Sequence, residues 1–223
     1  MPLHSRSANF RSWDSDGGTV HRVKLRMPEL AFLVTWGAAA SLIGDHSHVA
    51  TGTTEYLTDA VPFVWSSPIW FPLLVAVATV SLADLRLRMR APRTSVTVRQ
   101  GLAGVAAVIG IYVITALEHT APAVPVTALI YALAVITWCV LGDGPGAVCG
   151  VLAAIGGPIV EAMLAGAGVF RYADDSDALF GVAPWLPALY FAFGVVVAVL
   201  AEIAAKDRQP NVRSSASGTP APR

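Results

Sequence analysis

The sequence predicts an all-α integral membrane protein, a bundle of six transmembrane helices with both termini cytoplasmic and span five broken near its middle. Three observations carry that expectation. Six apolar segments each approach the ~20 residues that a bilayer requires. Of the 15 Lys and Arg residues, all but Arg171 are sorted to one side of those segments. Gly156, Gly157 and Pro158 interrupt the fifth segment close to its centre.

Residues 1–27 mix Ser, Gly, Asn and charge without periodicity, the composition of a disordered cytoplasmic N-terminus. Span one runs from Pro28 to Gly44. No cleavable small-residue site follows it, and Asp45 and His46 stand there instead, so this span is expected to stay in place. Span two (Val64 to Ala83), span three (Val98 to Leu117) and span four (Val124 to Leu141) follow. Span five (Pro145 to Gly168) and span six (Pro184 to Ile203) complete a membrane domain over residues 28–205, before a disordered cytoplasmic tail at 206–223.

Arg6, Arg11, Arg22, Lys24 and Arg26 precede span one, and Arg86, Arg88, Arg90, Arg93 and Arg99 fall between spans two and three. Lys206, Arg208, Arg213 and Arg223 follow span six, which leaves only Arg171 on the other side. Positive charge near span ends stays cytoplasmic, so both termini are placed inside. Asp45, Glu55, Asp59, Glu118, Asp174, Asp175 and Asp177 make the opposite face acidic. The formal net charge of zero gives no electrostatic reason for a nucleic-acid partner. Cys139 and Cys149 lie within spans, where they are expected to be small buried hydrophobes and not a disulfide.

Pro158 lacks a backbone donor and two glycines precede it, so the chain is expected to leave helical geometry at mid-membrane. Backbone groups freed at that depth must meet protein, water or a ligand, which implies an internal cavity. Glu161 lies one turn further on. A carboxylate there must be protonated, paired or wetted, so it is expected to face the interior and to be neutral at pH 7. Its other reading is a neutral Glu hydrogen-bonded to a Tyr or Thr of another span. Gly146 and Gly150, and Gly101, Gly104 and Gly110, are expected to let helices pack closely.

Asp45, His46, His48, Glu118 and His119 are potential metal ligands on one side of the membrane, the raw material of a metal-dependent intramembrane lipid hydrolase. No H-x-x-x-H or H-E-x-x-H spacing occurs, and His46 and His48 read as loop residues, so solvated roles are expected and no metal. There is no G-x-S-x-G and no Gly-rich phosphate loop. The chain does not read as an enzyme and implies no cofactor. A small proton-coupled transporter, with span five and Glu161 as its midplane site, is the other alternative.

Ser66-Ser67-Pro68-Ile69-Trp70-Phe71-Pro72 opens span two and Trp185-Leu186-Pro187-Ala188-Leu189-Tyr190-Phe191-Ala192 opens span six. Val105-Ala106 with Gly110-Ile111 marks span three, and Gly168-Val169-Phe170-Arg171-Tyr172 precedes span six. These four motifs, in this order, resemble the Insig (insulin-induced gene) family over about residues 28 to 205. The bias toward Ala, Val, Gly and Arg resembles a bacterial, actinobacterial-like member. The resemblance implies a six-span, non-catalytic, regulatory lipid sensor, since animal Insigs bind oxysterols and retain Scap and HMG-CoA reductase in the endoplasmic reticulum. The family's sterol-linked aromatic falls at Val108 and its sterol-linked glutamine near Pro125. Its Scap-binding segment appears as Thr137-Trp138-Cys139-Val140-Leu141-Gly142-Asp143, which makes Trp138 and Asp143 the candidates for partner binding. The expected ligand is a neutral membrane lipid, diacylglycerol-like or sterol-like, in a cavity formed by Trp70, Pro72, Val108, Gly156, Gly157, Pro158 and Glu161. A dimer or trimer of the chain, through the small-residue helix faces, is a further expectation, and a membrane-protein partner is expected by family analogy. The expected location is the plasma membrane of a bacterium, or the endoplasmic reticulum of a eukaryote.

Overall fold

The computed structural model describes residues 25–206. Its six helices are α1 (Met27–Thr51), α2 (Trp70–Met89), α3 (Val98–Leu117), α4 (Ala123–Leu141), α5 (Gly144–Gly166) and α6 (Leu186–Ala205). All six are long and apolar enough to cross a membrane, and the chain is a multi-pass integral membrane protein. The terminal segments expected to be disordered fall almost wholly outside the described residues.

Local chemistry sets the helix starts. The Thr97 hydroxyl accepts from the Gln100 N–H while the Gln100 side chain accepts from the Thr97 N–H, a capping box that opens α3. Asp143 caps α5 by accepting from the Gly146 N–H at 2.7 Å. Pro28, Pro145 and Pro187 occupy first turns, where a missing N–H is harmless.

Three features differ from the sequence expectation. Helix α1 continues past Gly44 to Thr51, so Asp45, His46 and His48 lie in its last turns and not in a loop. Helix α2 starts at Trp70 and ends at Met89, because a hairpin of β2 (Phe63–Val64) and β3 (Ser67–Pro68) takes up the residues before it, and Arg86 and Arg88 belong to the helix. The Arg88 guanidinium pairs with Asp84 at 2.5 Å, one turn back, and so continues the helix through polar residues. The break expected in span five is absent: α5 is continuous, with Pro158 inside it. One lost N–H does not end a helix whose other bonds persist. Gly157 is required for packing instead, since a β-carbon there would lie 2.5 Å from the Tyr190 ring.

Helix α6 is the centre of the bundle. Of the residues in its apolar window 72% are buried, against 22–39% for the other five helices, and all five pack on it. A β-carbon at Gly194 would meet the Cys149 carbonyl oxygen at 2.5 Å, so α5 and α6 touch backbone to backbone. Gly101 and Gly104 likewise face Ile203 and Val196 of α6, whereas Gly110 has open space beside it.

A buried ion cluster locks one end of the bundle. Arg86 (1% exposed) meets Glu202 (0% exposed), which Arg93 Nη2 reaches at 2.7 Å. Arg86 also pairs with Asp143 at 3.2 Å. Hydrogen bonds to Glu202 hold the Arg93 guanidinium above its ordinary pKa. At the other end, β1 (Thr54–Tyr56) pairs antiparallel with β4 (Phe170–Tyr172) in the register Thr54↔Tyr172, Glu55↔Arg171 and Tyr56↔Phe170. Alternation turns Thr54, Phe170 and Tyr172 inward and leaves Glu55 and Arg171 outside, paired at 2.7 Å.

Candidate functional site

The β1–β4 ribbon roofs a cavity of about 240 Å³ between α1, α2, α5 and α6. Its middle is apolar, built from Phe71 and Val75 of α2, Ala153 and Val160 of α5, and Leu186 and Phe193 of α6. Leu74 and Ser81 of α2 and Leu152 and Gly156 of α5 line it and are also exposed on the outer surface. The cavity therefore opens sideways between α2 and α5, towards the lipid. These two helices touch each other far less than either touches α6.

Two carboxyl groups form the polar end under the ribbon. Asp45, on the last turns of α1, accepts from the Tyr56 hydroxyl at 3.0 Å through each oxygen and from the Ser67 hydroxyl. Glu161 of α5 accepts from Tyr172 at 2.5 Å and from Tyr190 at 2.6 Å, one phenol on each oxygen. Burial first, then the Asp45 carboxyl, holds the Tyr56 phenol above its ordinary range, so it remains a donor. Burial, then Glu161, does the same for Tyr172. Among the described residues no Lys or Arg pairs with Asp45 or Glu161. His48 also lines the cavity, with Nε2 2.9 Å from the Thr115 hydroxyl and its ring against Trp185 and Tyr112.

Of the residues expected from the sequence to form a lipid cavity, Gly156, Gly157 and Glu161 line this one, and the possible metal ligands Asp45 and His48 line it too. Pro158 is buried but does not line it, since one residue further on turns a side chain to another face of the helix. Trp70 stands edge-on to Tyr56 and Phe71 outside the cavity wall, and Pro72 is buried within α2. Val108 lines a separate void of about 30 Å³ between α1, α3 and α6. Glu161 faces the cavity and also hydrogen-bonds to two tyrosines, so the geometry of its two sequence readings coincides.

Trp138 and Asp143 are engaged within the chain. The Trp138 indole N–H donates to the Asp143 carbonyl at 3.1 Å, and the Asp143 carboxylate caps α5 and pairs with Arg86. Trp185 is 2% exposed, a core residue and not an interfacial anchor. Cys149 is buried as expected, but Cys139 is exposed on α4.

The possible metal ligands have separate partners. His46 Nδ1 lies 2.7 Å from the Ser66 hydroxyl with its ring stacked on Trp65, and His119 Nδ1 lies 2.8 Å from the Ala116 carbonyl. Among the described residues no three His, Cys, Asp or Glu side chains converge as a metal site would require.

The tyrosines, Asp45 as a wall residue and the Arg86–Glu202 pair escaped the sequence reading. The one available signal was the alternation Thr54-Glu55-Tyr56 and Phe170-Arg171-Tyr172, too short to announce strands by itself.

The chain is 65% identical over 186 residues to the INSIG protein homolog of Mycolicibacterium vanbaalenii, a match that spans 83% of this chain and 91% of that protein. The crystal structure of the mycobacterial Insig homolog MvINS from Mycobacterium vanbaalenii superposes with a TM-score of 0.82 at 64% identity, covering 84% of this chain and 100% of the other. The crystal structure of a cross-linked MvINS trimer gives the same TM-score of 0.82 at 63% identity, with the same coverage of 84% and 100%. No protein-family model matches the chain.

Proposed function

The chain belongs to the Insig family, and on that premise we propose that it is a non-catalytic regulatory membrane protein that holds a neutral lipid, diacylglycerol-like or sterol-like, between α1, α2, α5 and α6. The cavity carries this reading: it is apolar in the middle, polar only at its roofed end, and open sideways to the bilayer. Small-molecule pockets span roughly 300–1,000 Å³. A volume of about 240 Å³ suits a lipid head and the first part of its chains, with the remainder passing out between α2 and α5. Gly156 and Gly157 keep that passage free of side chains, and Glu161 anchors the head.

The cross-linked trimer of the mycobacterial homolog leads us to propose the same stoichiometry here. The basic-rich helix ends and both termini then face the cytoplasm of a bacterial plasma membrane.

Gly156→Leu tests the lipid site. A β-carbon at Gly156 meets nothing within 4 Å, so the variant folds while its longer side chain enters the passage. After purification in mild detergent, mass spectrometry is expected to find a neutral lipid with the wild type and little with the variant. Equal lipid content in the two would sink the assignment of the cavity.

A further inference from the structure

Four hydroxyl donors are given to the two carboxyls, and the Tyr112 phenol lies on the same wall. Tyr56 and Ser67 serve Asp45, and Tyr172 and Tyr190 serve Glu161. A carboxyl retains acceptor sites beyond the bonds these donors make, and a cation placed beside it favours the ionised form, so both groups keep acceptor capacity that the protein does not fill. Neither Lys nor Arg lines the cavity. Thr54 is on its wall, 7% exposed, and its buried hydroxyl has no partner within the protein. A polar group left unmet at that depth is costly, and a ligand head that reaches it removes the cost.

This inventory discriminates between lipid heads. A phosphate brings negative charge and more acceptor oxygens to a place with no cation to receive them, and like charges in a desolvated site repel strongly. A hydroxyl finds free acceptors. An ammonium finds the same acceptors and opposite charge as well.

Resting on the lipid-holding reading, we infer that the cavity selects its lipid by the head: it takes heads that donate hydrogen bonds and carry no negative charge, holds a long-chain ammonium most tightly, and rejects phosphate. Asp45 and Glu161 are the selecting residues, and Thr54 completes the contact.

The test uses the full-length protein, delipidated in detergent, with three probes that share dioleoyl chains: the glycerol with a free hydroxyl, its phosphate monoester, and the matching ammonium lipid. Binding is read by native mass spectrometry. The ammonium lipid is expected to bind more tightly than the alcohol, and the phosphate about tenfold or more weakly than the alcohol. Combining Asp45→Asn with Glu161→Gln should remove the ammonium advantage. The wild-type series decides the matter even where that variant fails to fold. Equal affinity for phosphate and alcohol overturns this inference and leaves the lipid-holding reading intact, whereas binding of none of the three overturns both.

Discussion

A β-carbon at Gly157 would press on the Tyr190 ring at 2.5 Å, and that ring's hydroxyl is one of the two donors to Glu161. Gly157→Ala is therefore expected to cost about 1–3 kcal/mol by overpacking, read as a lower thermal midpoint in detergent. Glu161→Gln keeps one acceptor oxygen, and a phenol can turn to accept from the new amide N–H. Its cost should be about 1 kcal/mol, while Glu161→Ala, which strands both phenols, should cost two to three times as much. The Tyr172 phenol titrates above its ordinary value of 10.0 in the folded protein. Below that value both states are neutral and the contribution is complete. Above it the unfolded chain ionises first, so stability falls as pH rises. Unfolding midpoints measured from pH 8 to about 11 should drop less steeply in Tyr172→Phe. Glu161 was legible in the sequence because a carboxylate in an apolar run is conspicuous. Tyr56, Tyr172 and Tyr190 were not, because an aromatic near a membrane surface is ordinary until its partner is known.

Helices announce themselves more plainly than side-chain partners. Val98 and Leu117 bound α3 in both sequence and structure, since Thr97 and Gln100 mark its start. The ends of α1 and α2 were misread because membrane length was measured by apolarity, whereas helices continue through Asp45, His48 and Arg86 wherever tertiary partners meet them. The ribbon of β1 and β4 was invisible, its strands being three residues each and far apart in the chain. Within α2 and α6 the buried Arg86–Glu202 contact sets the strongest test. Removing one partner of such a pair costs about 3–5 kcal/mol, while replacing both with apolar residues of similar size restores much of it. Glu202→Leu should therefore unfold well below the wild type, and Arg86→Met combined with Glu202→Leu should recover part of the loss in the same thermal assay. Additive losses would show that the two residues are not coupled.

The bundle as a whole rests on α6, which the sequence marks only as one apolar span among six. Sequence cannot tell burial in protein from burial in lipid, because both reward the same residues. Position settles it: all five other helices pack on α6, and Gly194 lies against the α5 backbone. Gly194→Leu should thus abolish the folded protein, seen as loss of the monodisperse peak on size exclusion. Because α6 follows the other five helices in chain order, its place among them stays unfilled until it leaves the ribosome. Until then the partly made chain exposes an apolar slot that a membrane chaperone or protease can inspect. A stalled chain ending before Pro184 should be cleared rapidly in pulse-chase labelling, whereas the full chain persists.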